Sequence, residues 1–233
     1  FSRVKGVFIK IMELNSYIDY TNLKAIATTA DIKKLCDEAI KYHFSTVCVN
    51  PCYVKIAKSY LENSTVNVCT VIGFPLGATT INTKEFEAID AINNGADEID
   101  MVINIGALKN KDYDYVKKEI ENIRDAIDGK TLKVIIETCY LTKEEIKKMT
   151  EICNETFVNF IKTSTGFGTR GASVEDIEII NENKNDLLEI KASGGIKTLE
   201  QVEKLIDLGV TRIGTSSGVE IIEDSHKECD CYE

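Results

Sequence analysis

The chain has 233 residues and a formal net charge of −10, with 43% hydrophobic and 28% charged residues. That length suits one large α/β domain, and the acidic balance argues against a general nucleic-acid binder. The apolar runs are far too short to cross a bilayer, so no membrane partner is expected either.

Residues 1–15 are basic through Arg3, Lys5 and Lys10 and read as an N-terminal extension or part of a first helix. They lack the apolar core of a secretory signal, so a cytoplasmic location is expected. Short β-rich runs then alternate with amphipathic helical patterns. Strands are expected at 17–20, 46–50, 67–73, 98–104, 132–138, 157–163, 188–193 and 212–215. Phe86, Ile89 and Ile92 form one apolar helical stripe, and Leu199, Val202, Leu205 and Ile206 another. Thr142 with Glu145 and Thr198 with Gln201 read as capping boxes, and Ser173 with Asp176 as a looser one. Gly95 and Gly209 mark helix ends.

Eight strands alternating with helices, with no linker between them, predict a single-domain (β/α)8 TIM barrel over residues 16–222. A polar tail follows at 223–233. An open doubly wound sheet is the alternative, and no G-x-G-x-x-G follows the first strand to support it. The eight cysteines are scattered, several in apolar runs, as free thiols would be. The two histidines, His43 and His226, have no metal-ligand spacing, and Cys229-x-Cys231 lacks a partner pair. No metal is expected.

Charges appear where strands should be apolar. Alternation puts Glu98 with Asp100, Lys133 with Glu137, and Glu189 with Lys191 on inward faces, while Ile161 turns Lys162 inward. Glu98, Lys133 and Glu189, near strand starts, read as interior salt bridges. Asp100, Glu137, Lys162 and Lys191 lie toward the C-terminal ends, where barrel active sites sit. Two lysines at one barrel mouth disfavour each other's protonation, and a neutral lysine attacks carbonyls. The expected chemistry is Schiff-base formation, with Asp100 exchanging protons.

Three small-residue turns follow late strands: Thr163-Ser164-Thr165-Gly166, Ser193-Gly194-Gly195 and Gly214-Thr215-Ser216-Ser217. Their amides and hydroxyls suit a phosphate, and the last two precede helices whose N-termini favour an anion.

With these residues in view, the chain resembles the deoxyribose-phosphate aldolase family from about Ser16 to Ile222. The segments Val71-Ile72-Gly73-Phe74-Pro75, Glu98-Ile99-Asp100-Met101-Val102, Phe160-Ile161-Lys162-Thr163-Ser164-Thr165-Gly166 and Ile190-Lys191-Ala192-Ser193-Gly194-Gly195 carry the likeness by order and spacing. The resemblance implies reversible cleavage of 2-deoxy-D-ribose 5-phosphate to acetaldehyde and D-glyceraldehyde 3-phosphate, with no metal or organic cofactor. Lys162 matches the Schiff-base lysine, and Lys191 the second lysine, whose charge favours the neutral form of the first. Asp100 matches the proton-transfer aspartate. Asp19, Thr21, Cys48, Thr165, Gly166, Gly194, Gly195, Gly214, Ser216 and Ser217 match positions at the substrate and phosphate. Tyr232, near the chain end, is a candidate proton relay, and a homodimer is the expected assembly. Tyr20, Ala25 and Lys197 depart from the family's usual His, Pro and Arg. The alternatives are a Schiff-base aldolase for a different sugar phosphate, or a non-catalytic phosphate-binding barrel.

Overall fold

The computed structural model describes residues 14–230, so the expected N-terminal segment lies almost wholly outside them, as does Tyr232. Eight parallel strands close into a barrel in sequence order, with β8 returning to β1. They are β1 Ile18–Asn22, β2 Thr46–Val49, β3 Asn67–Ile72, β4 Glu98–Val102, β5 Thr131–Ile135, β6 Phe160–Lys162, β7 Glu189–Ser193 and β8 Arg212–Thr215. Helices follow the strands: α1 Thr29–Lys41, α2 Val54–Tyr60, α3 Ile81–Asn93, α4 Ile105–Lys109, α5 Tyr113–Ala126, α6 Lys143–Glu155, α7 Val174–Asn183, α8 Leu199–Asp207 and α9 Gly218–Asp230. The TIM barrel read from the alternation is the fold.

Local chemistry sets the helix ends. Thr142 and Glu145 close a reciprocal capping box on α6, and Thr198 and Gln201 do so on α8. Ser173 caps α7 through the Asp176 amide, but the box is not reciprocal, and the Asp176 carboxylate is held chiefly by Arg170 and Thr138. Gly95 and Gly209 end α3 and α8 with positive φ, as expected.

Outward-facing strand residues such as Val47, Val134, Ile161 and Ile190 pack against the helices in one apolar shell. Leu199, Val202 and Leu205 of α8 are buried there, as the stripe predicted. The α3 stripe is a correction. Phe86 is 72% exposed and Ile89 also faces water, while Ile92 packs partly buried against the apolar shell. The buried face of α3 is Lys84, Ala88 and Ala91. Lys84 is inside because it donates to the Val102 carbonyl at 2.7 Å and pairs with the buried Glu119. A matched charge let that face sink where bulk hydrophobicity pointed the other way.

Candidate active site

The barrel interior is built from charge. Asp100 of β4 is fully buried and meets three ammonium groups from three other strands. Lys133 reaches its Oδ1 at 2.9 Å, while Lys162 and Lys191 reach its Oδ2 at 2.8 and 2.7 Å. Lys162 and Lys191 are direct register partners on β6 and β7. Lys191 also pairs with Asp19 Oδ2 at 2.5 Å. That oxygen accepts no aligned hydrogen bond, so the contact is an ion pair rather than a directed bond. Below, Lys133 pairs with Glu98 at 2.5 Å, and Arg212 bridges Glu98 and Asp19.

The expected salt bridge of Glu98 with Lys133 is therefore present, and it extends up to Asp100. Glu189 differs from expectation. It is the first residue of β7, stays in water at the barrel's lower rim, and accepts from Thr211 Oγ1 at 2.8 Å. Alternation fixes a side chain's face but not its depth.

These contacts set the ionisation of the network. Burial alone would raise the Asp100 carboxyl, but Lys133, Lys162 and Lys191 outweigh it and hold the group well below the usual carboxylate range. Burial opposes the charge of Lys191, yet Asp100 and Asp19 hold it above the ordinary lysine range. Burial would raise Asp19 as well, and Arg212 and Lys191 hold it down. Lys191 is thus a fixed cation, and Asp100 an anion.

Above this layer a cavity of about 500 Å³ opens at the C-terminal end of the barrel. Of the three interior lysines, only Lys162 lines it; it is 3% exposed, while Lys133 and Lys191 are sealed. Thr21, Thr165 and Gly166 form part of the wall, and Gly194, Gly195, Gly214 and Ser216 form the side at the exits of β7 and β8. Asp19, Cys48, Asp100 and Lys191 lie beneath the cavity floor rather than in its wall. The Ser217 amide is turned to Thr215 Oγ1 at 2.9 Å. The hydroxyl of Thr165 donates to Glu137, so Thr165 shapes the wall while its hydrogen is spent inside the protein.

Two glycines sit at close contacts. A Cβ on Gly214 would lie 3.2 Å from Lys191 Cε, so its absence leaves Lys191 its path to Asp100. Gly194 takes φ of +87°, and a Cβ there would meet Gly171 Cα at 2.8 Å, so the exits of β6 and β7 pack backbone to backbone. Ser193 donates to the Ser164 carbonyl at 2.6 Å and reinforces that junction.

The cavity wall mixes lysines with Asp31, Glu38 and Glu220, and the lysines are in excess by one charge. Lys24, Lys34, Lys162 and Lys197 line it. Two of its acids have internal duties. Asp31 accepts from the Thr28 amide at 2.8 Å, and Glu38 accepts from the Tyr20 hydroxyl at 2.9 Å. Tyr20 therefore braces β1 against α1. Cys48, Cys69 and Asp100 bring possible ligand atoms within 4.8 Å of one another. The Cys69 thiol donates to Asp100 Oδ1 at 3.1 Å, and three ammonium groups already balance that carboxylate. A donor set so occupied is unsuited to a cation.

Arg212 was not singled out from sequence. Its signal was available: it lies two residues before Gly214 on the same inward face.

Fold and site together define a lysine-bearing barrel built for carbonyl chemistry on an anionic substrate. The chain belongs to the DeoC/LacD family of aldolases, whose model matches residues 14–224. It is 60% identical over 212 residues to the deoxyribose-phosphate aldolase of Finegoldia magna, covering 91% of this chain and 100% of that one. Its identity to the enzyme of the same name from Thermococcus kodakarensis is 56%, over 93% of this chain and 98% of that one. The structure titled a tetrameric deoxyribose phosphate aldolase from Aeropyrum pernix superposes with a TM-score of 0.86 at 28% identity, over 97% of each chain.

Proposed function

We propose that this barrel reversibly cleaves 2-deoxy-D-ribose 5-phosphate into acetaldehyde and D-glyceraldehyde 3-phosphate through a Schiff base on Lys162. The observation that carries the reading is the position of Lys162. It is the interior lysine that reaches the cavity, and it does so from a carboxylate shared with a second, sealed ammonium.

The neutral amine of Lys162 adds to the aldehyde carbon C1, and loss of water gives the iminium. The C2–C3 bond then breaks. Its electrons flow toward the iminium, the C3 hydroxyl passes its proton to solvent at the open mouth, and D-glyceraldehyde 3-phosphate leaves. The remaining enamine takes a proton at C2, and hydrolysis releases acetaldehyde and restores the amine. Lys191 stays charged throughout and favours the neutral form of its neighbour by repulsion. Asp100 Oδ2 orients the Lys162 nitrogen and receives protons as that nitrogen changes state. Held low by its cations, Asp100 is a transit point for a proton and not a store.

Gly166, Gly194, Gly195, Gly214 and Ser216 form the phosphate side of the cavity. Asp19 and Cys48 act from below the floor, Asp19 by fixing Lys191. Tyr232 is kept as the group that carries a proton to the enamine carbon. Residues 16–222 form the catalytic unit, a homodimer is the proposed assembly and the cytoplasm the proposed location. No helix among the described residues is long and apolar enough to cross a membrane. The test is product analysis with 2-deoxy-D-ribose 5-phosphate and a panel of ketose phosphates. Equal amounts of acetaldehyde and D-glyceraldehyde 3-phosphate from the deoxy sugar are expected; turnover of a ketose phosphate alone would favour a different donor.

A further inference from the structure

Glu137 is a buried acid at the barrel mouth for which the chemistry above has no use. It follows β5 with φ of 52° and ψ of 68°, a left-handed conformation uncommon for a residue with a side chain. It is 2% exposed. Its backbone is clamped on both sides, by the Ile136 amide on the Lys162 carbonyl at 3.0 Å and the Thr138 amide on the Thr163 carbonyl at 2.9 Å. The side chain reaches over the exit of β6. Both carboxylate oxygens lie 3.3 Å from the Thr165 amide, and the Thr165 hydroxyl donates to Oε2. The same hydroxyl accepts the Phe167 amide at 3.0 Å. The turn wraps the carboxylate closely, since a Cβ on Gly168 would lie 3.1 Å from Glu137 Cδ. Strained backbone of this kind persists where the surroundings over-determine it, and it clusters at functional sites.

We propose that Glu137 is a positioning residue for the phosphate of the substrate: by gripping Thr165 it holds the Thr165-Gly166-Phe167 turn in its anion-binding shape. The inference rests on the assignment of this cavity to a phosphorylated sugar. Glu137 acts through Thr165 and takes no part in the Schiff base. Its loss therefore weakens the grip on phosphate and leaves the carbonyl chemistry in place.

The experiment compares Glu137→Ala, Glu137→Gln and Thr165→Val on two substrates, 2-deoxy-D-ribose 5-phosphate and unphosphorylated 2-deoxy-D-ribose, with calorimetric titration of inorganic phosphate. The alanine variant should raise KM for the phosphorylated sugar and weaken phosphate binding by about tenfold or more, the loss of one charge-assisted hydrogen bond. Its kcat/KM on the unphosphorylated sugar should stay within about twofold. Glutamine keeps an oxygen for Thr165 and should recover most of the loss. Thr165→Val should also weaken phosphate binding, and the double variant should bind phosphate little worse than either single one. If the alanine variant fails to fold, Glu137→Asp, with its carboxylate drawn back by one methylene, carries the same comparison. Equal losses on both sugars, unchanged phosphate binding or no recovery with glutamine would overturn the proposal. If the unaltered protein cleaves neither sugar yet the variants still lose phosphate, the substrate assignment fails and the role of Glu137 stands.

Discussion

Replacing Lys191 with methionine removes a sealed ammonium group at nearly constant volume. Lys162 and Lys191 both touch Asp100 Oδ2, at 2.8 and 2.7 Å, so their charges are no more than about 5.5 Å apart. At an effective dielectric constant of about 20, two like charges at that separation repel by about 3 kcal/mol, or about two pH units. Without Lys191, protonation of the nucleophile is opposed less, and adduct formation requires higher pH. The pH profile of borohydride trapping with acetaldehyde should therefore move about two pH units toward alkali. The variant should also lose stability, because Asp100 and Asp19 each lose a buried partner. Removing one member of a buried pair costs about 3–5 kcal/mol, which lowers Tm by roughly 6–20 °C at this size. Trapping below the variant's melting range separates the two effects. A folded variant with an unchanged pH profile would refute the argument that Lys191 acts through charge on Lys162.

The same network sets how stability falls in acid. Asp100 and Asp19 have folded values below their usual range, so their stabilisation is full above about pH 4 and is lost progressively as pH falls from there through the lower folded values. Circular dichroism should place acid unfolding of Lys191→Met at higher pH than that of the unaltered chain; identical midpoints would show that the network does not set the acid limit. Ser216→Asp puts a like charge beside the phosphate and should cost far more kcat/KM on the phosphorylated sugar than on 2-deoxy-D-ribose. Matching losses would remove Ser216 from the phosphate site. Tyr232→Phe should slow exchange of acetaldehyde methyl protons with deuterated solvent while leaving trapping on Lys162 intact; unchanged exchange would leave Tyr232 without a relay role.

The barrel was legible because its strands and helices carry different periods, and because each charged strand residue broke an apolar run in phase with the inward face. Lys162, Lys191 and Asp100 could be grouped on that ground before any coordinate was known. Their mutual order could not. Which lysine meets the cavity depends on how far each strand is staggered around the barrel, and periodicity carries no such information. Glu98 and Glu189 show the same limit: each begins its strand on the inward face, yet one lies under Lys133 and Arg212 and the other in water. Asp100 was legible as a partner of the two lysines in proton exchange, but not its place behind Lys162, which the three ammonium groups converging on it set. The α3 stripe misled for a separate reason. Lys84 is buried with Glu119, 35 residues away on α5, as its counter-charge, and no local window contains both.

The most direct test of the central claim is peptide mapping after borohydride reduction of the protein with acetaldehyde. One ethyl group is expected on Lys162, none on Lys133 or Lys191, and no stable adduct on the barrel interior of Lys162→Ala. An ethyl group on Lys191 with Lys162 unmodified would contradict the assignment of the nucleophile.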